Sequence, residues 1–271
     1  MIRTVRVTVR ASLIAFGCVL AMLHFSMLSV MRRRALTLKE RAHWLHFWCG
    51  LALKILRITV ECQGELPGSG LLVANHLSYV DIVVFSALVP AIFVAKAEVR
   101  SWPLFGTMAR LGGSIFIDRW KLRRLPTVIA EAENVLRSGA LLIAFPEATT
   151  TNGTLLLPFR PALFEAAVRS NTNVTASYIS YTLEDGSFAE DMCWWGDVEL
   201  IPHLIGVFSK KAIRAHVRVG SCGRPFTNRK PAAATNMKEV MELAADADHI
   251  QPAPMLTPES QGSPGSMESA S

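Results

Sequence analysis

A histidine and an aspartate interrupt an otherwise apolar run, VANHLSYVDIVVF, at residues 73–85. Burying a charged carboxylate without a partner is costly, so His76 and Asp81 must either satisfy each other or take part in a reaction. Five residues along a regular helix turn through about 500°, which places the two side chains on different faces. They can meet if His76 lies in the turn before a helix and Asp81 lies in the first turns of that helix.

Such a pair could act on a hydroxyl group. If the Asp81 carboxylate accepts a hydrogen bond from one imidazole nitrogen of His76, the tautomer is fixed and the other nitrogen remains basic. The nucleophile would then come from the substrate, so the expected reaction is acyl transfer to an alcohol. A hydrogen-bonded pair with a purely structural role is the alternative. The chain has no Walker loop, no GxGxxG and no GxSxG motif, so nucleotide-binding and serine-hydrolase functions lack their usual motifs.

Beyond Gly64, alternating apolar runs and helical stretches predict an α/β fold. The predicted strands cover residues 71–74, 91–95, 114–117, 140–145, 174–181 and 212–219. The predicted helices cover residues 79–88, 101–111, 127–137 and 161–170. This alternation favours a mostly parallel mixed sheet flanked by helices. Titratable or donor-rich residues follow three of the strands, at 75–76, 118–119 and 146–147, and we expect them to meet along one edge of the sheet.

The N-terminal region predicts attachment to a membrane. Residues 11–31 contain no Asp, Glu, Lys or Arg and are long enough to cross a hydrocarbon layer of about 30 Å. Three arginines precede this run and three follow it, which fits a helix that enters one leaflet and returns at least as well as a simple span. A second segment, from Leu38 to about Thr59, is typical of an interfacial helix, with an ordinary buried helix as the alternative.

We therefore expect three parts in the chain. Residues 1–62 would form a two-helix membrane anchor, residues 63–250 the α/β domain, and residues 251–271 a disordered tail rich in Pro, Ser and Gly. The chain is 51% hydrophobic with a net charge of +6, which favours an anionic membrane surface over nucleic acid as partner. Its five cysteines are scattered and form no CxxC motif, which indicates a reducing compartment without a disulfide framework or zinc site.

Three blocks of residues, in order, resemble the glycerolipid acyltransferase superfamily and in particular the PlsC-type 1-acyl-sn-glycerol-3-phosphate acyltransferases. NHLSYVD, at residues 75–81, matches the HxxxxD motif, and GSIFIDR, at residues 113–119, resembles the second block. FPEATTTNG, at residues 145–153, resembles the third block. The resemblance covers roughly residues 35–220, and HxxxxD alone would be a weak signal without the two blocks that follow it.

This resemblance implies a role for each matching residue. His76 would be the general base and Asp81 would orient it, Arg119 would bind the acceptor's phosphate, and Glu147 would bind or position the acceptor. The further residues expected to bind substrate are Asn75, Lys96, Asp118, Thr149 and Thr150. The acyl donor would be acyl-CoA or acyl carrier protein, with no metal and no other cofactor.

The resemblance also implies an acceptor and a location. The expected acceptor is 1-acylglycerol-3-phosphate, giving phosphatidic acid at the cytoplasmic (inner) membrane, with the active site on the cytoplasmic face. Ala148 replaces the family's glycine, Thr150 stands where many members have arginine, and the fourth block lacks its proline. The acceptor could therefore be another lysolipid, such as a lyso-ornithine lipid or a lysophospholipid. A non-catalytic lipid-binding protein and a hydrolase remain further alternatives at this stage.

Overall fold

The computed structural model describes residues 2–118, 122–221, 223–245 and 251–252. Its helices are α1 (Ile2–Arg32), α2 (Leu38–Leu56), α3 (Val80–Leu88), α4 (Phe105–Leu111), α5 (Leu125–Arg137), α6 (Phe164–Ser170), α7 (Leu200–Ser209) and α8 (Arg229–Ala245). Its strands are β1 (Ile58–Gln63), β2 (Gly70–Ala74), β3 (Ala91–Lys96), β4 (Ile115–Ile117), β5 (Leu141–Ala144), β6 (Leu155–Leu156), β7 (Val174–Leu183), β8 (Ile213–Val219) and β9 (Gln251–Pro252).

Seven strands form one mixed sheet, in the order β1-β8-β7-β2-β5-β3-β4. The pairs from β7 to β4 are parallel, and β8 runs antiparallel to β7 while β1 runs parallel to β8. The carboxyl ends of β7, β2, β5, β3 and β4 therefore lie along one edge of the sheet, which is where sites form in such folds. The predicted fold class, a mostly parallel mixed sheet flanked by helices, is confirmed.

Helices cover both faces of the sheet, and the sheet separates two hydrophobic cores. Alternate side chains of β2 enter opposite cores, with Leu72 on the face covered by α1, α2, α3 and α7 and Leu71 on the face covered by α5, α6 and α8. Strands buried on both faces explain why these segments read as continuous apolar runs rather than as alternating patterns.

The N-terminal region differs in detail from its predicted layout. Both predicted helices are present, but α2 ends at Leu56 because Arg57 adopts a left-handed conformation, and β1 begins at Ile58. That edge strand belongs to the main sheet although all of it except Gln63 falls within the predicted anchor segment. In the described part of the chain, α1 alone is long and apolar enough to cross a membrane, judged by length and composition. Helix α2 instead packs against α3.

Helix α1 is docked along the domain rather than projecting from it. The Arg10 guanidinium donates to the backbone carbonyls of Phe208, at 3.0 Å, and Lys210, at 2.5 Å, at the end of α7. Further along α1, the Trp44 indole donates to the Ala21 carbonyl at 3.2 Å. The outward face of α1 exposes apolar side chains such as Phe16 and Leu23.

Strand β1 and helices α7 and α8 were not predicted from the sequence. The predicted disordered tail, residues 251–271, lies outside the described residues except for Gln251 and Pro252, which pair with β6.

Candidate active site

His76 and Asp81 lie where β2 leads into α3. The Nδ1 atom of His76 is 2.8 Å from Oδ2 of Asp81, because His76 is in the connecting turn and Asp81 is in the first turn of α3. Oδ2 also accepts the backbone N–H groups of Leu77 and Ser78, at 2.7 and 3.0 Å. These donors stabilise a carboxylate that is fully buried, since a buried charge needs several hydrogen bonds.

The imidazole of His76 is stacked on an aromatic ring and is hydrogen-bonded at one of its two nitrogens. Its ring stacks on Phe145, with centroids 4.1 Å apart and an interplanar angle of 10°. Nδ1 is engaged by Asp81, and Nε2 has no hydrogen-bond partner among the residues that the structure describes. His76 is among the residues that line a cavity of about 280 Å³, and its Nε2 is not engaged by the described part of the chain.

Glu147 holds the backbone of His76 from the neighbouring strand. After β5, its Oε1 accepts the His76 N–H and its Oε2 accepts the Leu157 N–H, both at 2.8 Å. Burial raises the pKa of Glu147 to about 8, although the two N–H donors act in the opposite direction. Glu147 is nearly fully buried and is not part of the cavity wall. In this structure its hydrogen bonds are therefore with the backbone of His76 and Leu157. Its predicted contact with the acceptor stays a prediction.

Asn75 makes a similar connection to the other neighbouring strand. Its side-chain N–H donates to the Ile179 carbonyl at 2.9 Å, and its side-chain oxygen accepts the Ile179 N–H at 2.8 Å. This amide extends the pairing of β2 with β7 by one residue and is buried. Both hydrogen-bonding groups of Asn75 are thus engaged by backbone, and its predicted role in substrate binding stays a prediction.

The remaining predicted site residues surround the same cavity. Lys96 at the end of β3, Asp118 after β4, and Thr149 and Thr150 after β5 all line it. Lys96 is half-exposed and lies 3.4 Å from the Glu98 carboxylate. Arg119 lies outside the described residues, so its predicted contact with a phosphate has no structural account here.

Sequence reasoning missed several residues of the site. Arg124 and Arg160 line the cavity but lie outside the three blocks, and both are exposed cations. Trp194 closes another side of the cavity, and its backbone N–H donates to the Leu77 carbonyl at 2.8 Å. Tyr181, 100 residues after Asp81, donates its hydroxyl to Asp81 Oδ1 at 2.6 Å. No short motif connects these positions to the histidine.

A second, apolar cavity of about 160 Å³ adjoins the first. Its walls come from α1, α2, α3, α4 and α7, with Ile14, Gly17 and Met108 among its lining residues. The two cavities share one wall, which comprises Tyr79, Ile82, Ala95, Val99 and Trp102. The cavity that His76 and several charged side chains line, called the polar cavity below, thus lies next to this second one, called the apolar cavity.

Comparison with known proteins gives the family. A family model described as Acyltransferase matches residues 57–180. The lyso-ornithine lipid O-acyltransferase of Brucella abortus (strain 2308) is 34% identical over 267 residues, covering 91% of this chain and 97% of the relative. That of Rhizobium meliloti (strain 1021) is 34% identical over 227 residues, covering 78% of each chain. This chain belongs to the acyltransferase family.

Other members of the family match over different extents. The 1-acyl-sn-glycerol-3-phosphate acyltransferase of Neisseria gonorrhoeae is 38% identical over 122 residues, which is 45% of this chain and 48% of that one. The crystal structure of the 1-acyl-sn-glycerophosphate acyltransferase PlsC from Thermotoga maritima superposes with a TM-score of 0.60 at 19% identity, covering 90% of this chain and 98% of that one. The structural likeness supports the acyltransferase fold, and the sequence relatives identify this chain as an acyltransferase.

Proposed function

We propose that this acyltransferase moves a fatty acyl group from an acyl thioester to the free hydroxyl of a lysolipid, with His76 as the general base. The observation that carries this proposal is the placement of His76. Asp81 holds Nδ1 at 2.8 Å, while His76 lines the cavity and its Nε2 has no hydrogen-bond partner in the described residues. This is the arrangement that a base needs in order to take a proton from a bound hydroxyl.

The proposed reaction needs only the two substrates and these side chains. Nε2 of His76 takes the proton of the acceptor hydroxyl as its oxygen attacks the thioester carbonyl carbon, and Asp81 stabilises the imidazolium that forms. The tetrahedral intermediate then collapses, the carbon–sulfur bond breaks, and the leaving thiolate receives the proton from His76. The products are a new ester and a free thiol.

The two cavities suit the two ends of such substrates. The polar cavity, with Lys96, Arg124 and Arg160 on its wall, would take the anionic headgroup, because guanidinium and ammonium groups pair with carboxylate and phosphate. The apolar cavity would take the acyl chain of the donor or the acceptor. The thioester would then lie at their shared wall, next to His76 and Tyr79.

We propose a lyso-ornithine lipid as the first candidate acceptor. Relatives with that name match over 78% and 91% of this chain. Thr150 also replaces the arginine that the third block often supplies, which weakens the case for a phosphate headgroup. An ornithine headgroup carries one carboxylate and one ammonium group, and the cavity wall offers both Arg160 and Asp118.

The second candidate acceptor is 1-acylglycerol-3-phosphate, which would give phosphatidic acid. The neisserial relatives named for that activity have the higher identity, 38%, although over 122 residues only. Lys96, Arg124 and Arg160 together could neutralise a phosphate. Other lysophospholipids also carry a phosphate that these cations could neutralise, but no relative reported above is named for them.

We also propose a location and a donor class. Helix α1 would lie in the membrane alongside the domain, because it is docked on α7 and α2 while its outward side is apolar. Acyl-CoA and acyl carrier protein are both anionic and both made in the cytoplasm, so we place the active site on the cytoplasmic face of the inner membrane. The cationic wall of the polar cavity suits either donor.

One experiment separates the acceptors. Purified full-length protein in mixed micelles is given either acyl-CoA or acylated acyl carrier protein, with an equimolar pool of lyso-ornithine lipid, 1-acylglycerol-3-phosphate and lysophosphatidylcholine, and the products are identified by mass spectrometry. We expect acylated ornithine lipid as the main product. Predominant phosphatidic acid would establish the second candidate, and free fatty acid without any acylated product, with either acyl donor, would contradict the proposed transfer.

A further inference from the structure

The buried carboxylate of Asp81 uses its two oxygens differently. Oδ2 accepts from His76 Nδ1, Leu77 N and Ser78 N. Oδ1 accepts from the Tyr181 hydroxyl at 2.6 Å, and in the described part of the chain this is its only donor. Without that hydroxyl, one oxygen of a fully buried carboxylate would lack a partner, and an unsatisfied buried acceptor is costly.

Tyr181 is held in place by its position on a paired strand and by burial in the core. It lies on β7, two residues after Ile179, whose backbone pairs with the Asn75 side chain. Its ring is 3% exposed and packs in the core beneath α3 and α7. Burial, followed by the charge of Asp81, raises the pKa of Tyr181 well above its ordinary value, so the hydroxyl keeps its proton and remains a donor.

We propose that Tyr181 is a positioning residue for the acyl transfer, because its hydrogen bond to Oδ1 fixes the plane of the Asp81 carboxylate so that Oδ2 faces His76 Nδ1. The inference rests on the proposed role of His76 as a base. Tyr181 itself does not line the polar cavity and acts through Asp81. Tyr181 on β7, Asp81 on α3 and His76 in the turn after β2 thus form a chain of three hydrogen-bonded side chains.

The effect of removing this hydroxyl on the pH profile has a defined sign. A carboxylate with one hydrogen-bond donor fewer is more easily protonated. Ionised Asp81 therefore appears beside His76 only at a higher pH in the variant, so the acid limb of kcat/KM moves to higher pH. Glu147 and Cys193 also face Asp81, whose charge contributes to raising their pKa values to about 8 and about 12. Glu147 and Cys193 are present in both the unaltered protein and Tyr181→Phe, so their effect on the acid limb cancels when the two pH profiles are compared.

The test compares Tyr181→Phe with Tyr178→Phe. Tyr178 lies on the same strand and is 1% exposed, but it packs in the core on the other face of the sheet. We expect Tyr181→Phe to lower kcat roughly 10- to 100-fold, the size of a lost hydrogen bond to a charged group. Its KM values should stay within about twofold, and its acid limb should shift upwards. Tyr178→Phe should leave both the rate and the profile unchanged.

Two further variants decide whether the effect passes through Asp81. In an Asp81→Asn background, Tyr181→Phe should cost little more, because the interaction that it serves is already gone. An equal loss in both backgrounds, or an unshifted acid limb in a folded Tyr181→Phe protein, would overturn the inference. Full activity of His76→Ala would instead overturn the proposed function, so the two failures are distinguishable. Thermal unfolding of each variant reports whether it is folded.

Discussion

The polar and the apolar cavity are built in different ways although they share a wall. The polar cavity is lined by the ends of β3 and β4 and the segments that follow β2, β3, β4 and β5, together with α5 and the segments around Arg160 and Trp194, and it contains His76 and several charged groups. The apolar cavity is lined by five helices from both ends of the chain and is almost wholly hydrocarbon. The difference indicates that the His76–Asp81 pair is set by one local motif, whereas the shape of the apolar cavity depends on how distant helices pack.

The largest effect is expected at the polar cavity, from Asp81→Asn. An amide at this position cannot stabilise an imidazolium and can hold His76 in the wrong tautomer, so kcat should fall roughly 10²- to 10⁴-fold. Because the apolar cavity is not altered, the relative preference for donors of different chain length should stay the same. Acyl transfer with a series of acyl-CoA donors measures both. A changed chain preference in this variant would contradict the separation of the two cavities.

The apolar cavity can be altered separately through Gly17 on α1. Gly17 lines this cavity, and a Cβ atom added at that position would have no atom of another element within 4 Å. Gly17→Leu should therefore fill space meant for the acyl chain, and we expect the longest donors to lose about tenfold in kcat/KM while short donors are used as before. Gly50→Leu is the matched control, since Gly50 on α2 is equally unobstructed but lies outside both cavities. Equal chain preferences in the two variants would contradict this assignment of the cavity.

Glu147→Gln tests the buried carboxyl group that accepts hydrogen bonds from the backbone of His76 and Leu157. The folded protein retains the Glu147 proton up to about pH 8, whereas the unfolded chain releases it near pH 4.5. Between these values the folded state binds more protons, so this group makes the free energy of unfolding fall as the pH rises. Glutamine has no such titration, and the variant should show a shallower decline of stability between pH 5 and pH 8.

Denaturant unfolding of the protein in detergent, measured at several pH values, gives this slope. Glu131→Gln, an exposed change on α5, should leave the slope as in the unaltered protein. A Glu147→Gln protein with the unaltered slope would show that Glu147 is already ionised at pH 5 in the folded state.

The smallest effect is expected from Ala148→Gly, in the turn after β5. Ala148 has a φ of 60°, a conformation that costs about 1 kcal/mol for a residue with a Cβ atom. Glycine at this position should raise the free energy of unfolding by up to about 1 kcal/mol, because relief of strain is partly offset by the greater freedom of the unfolded chain. Ala130→Gly, exposed within α5, should lower it by about as much. A lower free energy of unfolding in Ala148→Gly would contradict the inference that Ala148 is strained.

The sequence predicted the polar side of the molecule better than the apolar side. The strands that precede His76 and Glu147, and the meeting of their ends at one edge of the sheet, follow from local patterns of apolar residues. The hydrogen bonds of Asn75 and Glu147 to backbone groups could not be foreseen, because their partners lie 104 and 71 residues away in the chain. Tyr181 belongs to no motif, and its contact exists only once β7 is placed beside β2.

The apolar cavity was not predictable for a related reason. The sequence of each of its five helices does not show where the others lie, and the space between them depends on their packing. Helix α1 shows the same limit. Its length and composition indicated a membrane helix, but its docking through Arg10 onto α7 is a long-range contact that no local pattern signals.

The central claim is that Nε2 of His76 takes the proton of the acceptor hydroxyl, and His76→Ala tests it most directly. Single-turnover transfer of a radiolabelled acyl group to the identified lysolipid should fall by at least 10²-fold, with unchanged binding of the protein to vesicles and unchanged thermal unfolding. A folded, vesicle-bound His76→Ala protein that transfers the acyl group at the unaltered rate would contradict the account.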